Sequence, residues 1–191
     1  MLKAGVALAL IATAACEESH PGTESAADLD RLQLLASVEV SALEVYAAVA
    51  NGIHSGRLGR VDASVSQFVD ATSLRHRQHL DAWNSLLTTA KHTPRTGPDL
   101  ALQAELQRQL VGAHTLHDAL ASVVYAEQLL TATAAVAAFS FSASRYRSEA
   151  SRIAAVEAQH RAILQYLMAV QPIDADFVAA GAARPLADLR T

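Results

Sequence analysis

Six side chains in this sequence have the types and spacing of transition-metal chemistry: Glu39, the pair His76 and His79, Glu127, and the pair Glu157 and His160. Carboxylate oxygen and imidazole nitrogen are the donors that zinc, iron, manganese and copper take from proteins. Within each pair the residues stand three apart, so on a helix both heads project from one face. The stretch from Ile153 to Met168, I-A-A-V-E-A-Q-H-R-A-I-L-Q-Y-L-M, makes that face otherwise apolar. A carboxylate or an imidazole buried there without a partner is costly, so it must meet other polar groups or a metal ion.

The elements that must position these groups are helices. A composition rich in Ala and Leu, with eight glycines and five prolines gathered mostly into short patches, predicts an all-α protein. The first helix is expected over about Ala26 to Ala50, with Ser25 and Asp28 at capping-box spacing and the seam Leu32, Leu35, Glu39, Ala42, Tyr46, Val49. An Asn-Gly stop at Asn51 opens a loop to Arg60. The second helix runs from the N-cap Asp62 to about Ala90, with His76 and His79 on the seam of Val65, Thr72, Trp83 and Leu86. Lys91 to Asp99 carries two prolines and a glycine, which makes it a break, and Leu100 to Val111 forms a short helix in this crossover. A further long helix starts near Ala113 with the seam Leu116, Leu120, Val123, Glu127, Leu130, Ala134, Ala137. After a turn at Phe139 to Ala143, with Ser142 or Ser144 as N-cap, the last helix reaches about Val170 with the seam Ile153, Glu157, His160, Leu164, Leu167. His20, His54, His114 and His117, together with Glu44, Arg75, Arg77 and Gln78, fall off these seams and are expected to face solvent.

Each metal-competent group sits near the middle of its helix. At about 1.5 Å rise per residue, groups at mid-length of helices of similar length share one layer whichever way each helix runs. The order is a repeat: a single Glu, a pair, a single Glu, a pair. A helical hairpin used twice about a pseudo-twofold axis produces it.

The pattern resembles the ferritin-like superfamily, the di-iron carboxylate four-helix bundles, which use a Glu from each of two helices and Glu-x-x-His from each of the others. The segment R-H-R-Q-H-L-D-A-W-N and the helices around it are similar to the exported ferritin-like proteins of bacteria, a resemblance covering about Leu29 to Met168. It implies a ferritin-like four-helix bundle over residues 28–170 with a crossover between the second and third bundle helices. It further implies a metal centre in which Glu39 and Glu127 are terminal carboxylates, Glu157 bridges, and His79 and His160 are imidazole ligands, with Tyr46 and Tyr125 close enough to donate a hydrogen bond or an electron. Iron, as a pair or a single ion, is the first cofactor implied. His76 departs from the pattern, which has glutamate there. A neutral imidazole binds one ion and adds no negative charge, so this exchange permits a single ion, or zinc, manganese or copper, in place of a di-iron pair. A metal-free bundle whose Glu and His residues pair as a buried ionic network is the other reading.

At the N-terminus M-L-K precedes an apolar run from Ala4 to Ala15, too short to span a bilayer, and then the sole cysteine, Cys16. T-A-A-C resembles the lipobox of bacterial lipoproteins, which implies a signal peptide over residues 1–15, lipidation at Cys16 and a place on the membrane of the bacterial cell envelope. The alternative is an ordinary secreted protein with one free thiol. Glu17 to Ala27 with its Pro-Gly pair reads as a polar tether, so that residues 16–27 hold the domain off the membrane. Residues 171–191 form a tail whose Phe177, Val178 and Leu186 are expected to dock on the bundle. A homodimer and an envelope protein are the expected partners besides the membrane. The net charge of -4, without a dense basic patch, gives nucleic acid no footing.

Overall fold

Local chemistry sets the helix starts in the computed structural model, which describes residues 25–169 and 183–185. Helix α1 (Ala26–His54) begins at Ser25, whose hydroxyl accepts the Asp28 N–H, and α2 (Ala63–Thr89) at Asp62, which accepts from Ser64. The short α3 (Leu100–Val111) begins at Asp99, which accepts from Leu102. Thr115 and Asp118 close a complete capping box on α4 (Leu116–Ser140), which fixes its start three residues past the expected Ala113.

The last helix, α5 (Ser144–Leu167), differs from expectation at both ends. Neither Ser142 nor Ser144 caps it: Ala143 holds the N-cap position without a side-chain hydrogen bond. The chain leading into the helix is held instead by Asp28, whose carboxylate accepts the N–H groups of Ser142 at 3.1 Å and Ala143 at 3.3 Å, and the Ser142 hydroxyl as well. Asp28 therefore cannot return to Ser25, and the capping box expected at the start of α1 is only half formed. At its far end α5 stops at Leu167, where Ala169 takes a left-handed φ of 54°.

Helix α1 also runs past the Asn-Gly stop. Gly52 is helical, and a Cβ there would meet Arg57 Nη2 at 2.8 Å and Leu58 Cδ1 at 2.9 Å. It is a point of close approach between the helix and the returning chain. The turn falls at Gly56, with φ +74°, after the Ser55 N–H has bonded back to Asn51.

These helices make two antiparallel hairpins, α1 with α2 and α4 with α5, joined face to face. The bond from Asp28 to Ser142 and that from Tyr46 to Glu127 show that α1 and α4 run in opposite directions. The crossover must then travel the length of the bundle. It does so along α1, through Gln33 to Thr93, Ser41 to Asp99, Gln103 to Glu44 and Arg57 to Ala113. Asp99 is buried, and Arg184 from the tail grips it with two hydrogen bonds of 3.0 and 3.2 Å while its backbone N–H donates to Thr133. Phe177, Val178 and Leu186 lie outside the described residues, as does everything before Ser25, including Cys16 and His20.

The expected seams are buried almost throughout; on α2 it is Leu87, in place of Leu86, that closes the core. The apolar residues gather in two clusters. One, around Tyr46, Val49, Val69, Val123 and Leu164, lies toward the C-terminal end of α1. The other, around Leu32, Trp83, Tyr146 and Ile153, lies toward its N-terminal end. Helices α1 and α4 each contain a stretch with mean hydropathy 1.4, long enough to cross a membrane, and about two thirds of it is buried inside the bundle. Between the two clusters runs a polar layer.

Candidate metal centre

Glu39 on α1, His76 and His79 on α2, Glu127 on α4, and Glu157 and His160 on α5 make up that layer. Steps of three and four along each seam bring the six inward at one depth, and all are buried, His160 being the most accessible at 8%. The Nδ1 of His76 lies 2.9 Å from Glu39 Oε2, and its Nε2 lies 3.1 Å from Glu127 Oε1. His79 Nδ1 is 2.6 Å from Glu157 Oε1, and His160 Nδ1 is 3.1 Å from Glu157 Oε2. Two sets of ligand atoms result, each within 4.8 Å of one another: Glu39, His76, His79 and Glu157, and His76, Glu127, Glu157 and His160. His76 and Glu157 belong to both.

The two tyrosines separate. Tyr46 is fully buried and its hydroxyl donates to Glu127 Oε1, with Thr72 as a further hydrogen-bond partner. Tyr125, expected beside the centre, is 36% exposed. It stands two residues before Glu127, and that offset turns its ring to the far side of α4. Glu44, His54, Arg75, Arg77, Gln78, His114 and His117 are exposed, as expected from their positions off the seams. Sequence reasoning missed Arg161, which is buried next to His160 and whose place four residues after Glu157 and three before Leu164 puts it on the same face.

Electrostatically the six groups form one coupled unit. Burial pushes the carboxyl of Glu39 up, but the hydrogen bonds of His76 and His79 overcome this and hold it below its ordinary value. Glu127 is drawn down strongly against the same penalty, by the charge of His76 and the hydrogen bonds of His160 and His76. Glu157 goes the other way: its burial, reinforced by Glu127 and Glu39, outweighs the pull of His76 and raises it. Burial disfavours the imidazolium of His76, yet Glu157 and Glu127 raise it well above the usual range. For His79, burial is outweighed by the hydrogen bonds to Glu157 and Glu39, and its pKa is pushed up to about 9. His160 is raised by Glu127 and Glu157, again against burial. Desolvation and the neighbouring Glu127 push the Tyr46 phenol well above its normal value, so it stays a donor.

Such a layer has two chemical uses. Without a metal, imidazolium groups and carboxylates neutralise one another as a buried ion network. With one, the same lone pairs turn onto the cation. Two buried atoms of the layer, Glu127 Oε2 and His79 Nε2, have no hydrogen-bond partner, so the six groups alone do not complete the layer as an ion network. The donor set, three carboxylates and three imidazoles, suits a divalent first-row transition metal.

Compared with known proteins, the chain matches the ferritin-like domain family over residues 27–170. No curated protein and no solved structure matches it.

Proposed function

The chain belongs to the ferritin-like domain family, and from that premise we propose that it is an exported, membrane-tethered member that binds one or two transition-metal ions, iron first, in the core of the bundle. One observation carries the proposal: Glu39, His76, His79, Glu127, Glu157 and His160 come from four helices into a single buried layer with ligand-like spacing. Chance burial of polar residues does not concentrate six of them at one depth, since each would be costly alone. Iron held there would supply ferrous–ferric redox chemistry, whereas zinc would supply charge and structure alone. The protein's own part is to exclude water through the two apolar clusters on either side, to fix the ligands, and to hold a proton on Tyr46 against Glu127.

The tether rests on Cys16 and the T-A-A-C segment. Lipidation there would place the bundle at the surface of the cell-envelope membrane, with the residues between Cys16 and the α1 N-cap Ser25 as spacer. Changing Cys16 to Ser is expected to release the protein from the membrane fraction and to remove the mass of the lipid; retention on the membrane would refute the anchor.

A metal-free ion network is the second reading, favoured by the histidine at position 76 and by the carboxylate partner that each of the three histidines already has. Elemental analysis of the purified protein decides between the two. The proposal expects close to one or more ions of iron, manganese, zinc or copper per chain, lost in Glu157→Ala and His79→Ala; a protein that retains none is the ion network.

A further inference from the structure

We infer that the centre has one primary ion site, formed by Glu39, His76 Nδ1, His79 Nδ1 and Glu157, and that Glu127 is a positioning residue for His76 instead of a ligand of that ion. The inference rests on the metal-binding reading above and departs from the two-ion plan of the family pattern. Its starting point is His76. In a neutral imidazole one ring nitrogen carries the proton and only the other has a lone pair to give. His76 belongs to both candidate sets but presents a different nitrogen to each, Nδ1 toward Glu39 and Nε2 toward Glu127. A neutral His76 completes one set and must donate an N–H to the other.

Geometry selects which. In the first set all four sides are short, with Glu39 using both of its oxygens: His76 Nδ1 to Glu39 Oε2 is 2.9 Å, Glu39 Oε1 to His79 Nδ1 is 3.6 Å, His79 Nδ1 to Glu157 Oε1 is 2.6 Å, and Glu157 Oε1 to His76 Nδ1 is 3.6 Å. A tetrahedral ion with bonds of about 2.0–2.1 Å separates its ligand atoms by roughly 3.4 Å, so small shifts seat a cation there. The second set has close edges at His76–Glu127, His160–Glu127 and His160–Glu157, and its ligand atoms also lie within 4.8 Å of one another. His76, however, makes its ion-pair approach to Glu157 through Nδ1, the nitrogen given to the first set, which leaves the fourth side the loosest. Glu127 Oε1 meanwhile faces two donors, the Tyr46 hydroxyl and His76 Nε2. A carboxylate that accepts the far N–H of a ligating imidazole fixes its tautomer and aims its lone pair. Tyr46, Glu127 and His76 form such a chain, ending at Nδ1 within the first set.

The test titrates the metal-free full-length protein with Co(II) and Zn(II) and follows stoichiometry by calorimetry and cobalt coordination by visible absorption. One tight ion per chain is expected, with the intense visible bands of a tetrahedral cobalt site. Glu39→Gln and Glu157→Gln should abolish tight binding. Glu127→Gln, whose amide oxygen still accepts from His76, should keep both the stoichiometry and the spectrum. Glu127→Ala should keep the stoichiometry with about 10- to 100-fold weaker affinity. Circular dichroism confirms that each variant compared is folded, and the glutamine variant provides the comparison if the alanine variant is not. Two ions bound with equal affinity, or loss of the tight ion in folded Glu127→Gln, overturns this inference and leaves the metal reading standing. Binding of neither metal overturns both.

Discussion

Tyr46 shows how far single residues are committed to the polar layer. Its hydroxyl donates to Glu127 and is held protonated by its burial and by that carboxylate. A hydrogen bond to a charged group contributes about 1.5–3 kcal/mol, so Tyr46→Phe should lower unfolding stability by roughly 2 kcal/mol in urea denaturation. The histidines make the metal-free protein sensitive to pH. His79 is raised from 6.5 to about 9, so the folded state binds its proton more tightly than the unfolded chain does. That contribution is complete below 6.5 and is lost as pH rises through about 9. The metal-free protein should therefore show a falling urea midpoint across this window, a dependence that weakens once a cation replaces the proton at His79 Nδ1. The six metal-competent residues were legible in the sequence because each occupies a seam position among apolar neighbours, where a charged group needs a reason. Tyr125 was misplaced because closeness in sequence to Glu127 says nothing about the face of α4 it occupies. Arg161 lies four residues after Glu157 on the same buried face, and it went unseen because an arginine is ordinarily solvated even beside a seam.

For the elements, Gly52 is the sharper test. The Asn-Gly pair looks like a helix stop, and the helix passes through it because the loop folds back against that glycine. Gly52→Ala gains about 1 kcal/mol in helix propensity. Pushing the buried Leu58 aside costs about 1–3 kcal/mol, so a net loss near 1 kcal/mol is expected in thermal or chemical unfolding. A stabilised variant would mean that α1 and the turn at Gly56 do not pack as described. Helix existence and seam were readable from periodicity. The ends were not, where the deciding partner is remote: Asp28 serves the start of α5 from another helix, and no local pattern around Ser142 contains it. The clamp of Arg184 on Asp99 is equally long-range.

At the level of the whole molecule, a bundle that places its polar layer between two apolar clusters gains specificity from the same residues that make the core costly. The doubled hairpin explains why the layer is symmetric in plan, and the crossover along α1 explains how the second hairpin is turned to face the first. The substitution at position 76 breaks that symmetry at one residue. The central claim is that this layer holds a metal, and the most direct measurement is anomalous diffraction from crystals of the protein grown with ferrous iron or zinc, collected at the absorption edge of the metal. The account predicts the strongest anomalous peak inside the bundle, between Glu39, His76, His79 and Glu157. Fully occupied peaks confined to the surface, with the interior empty and the side chains still paired as an ion network, would contradict it.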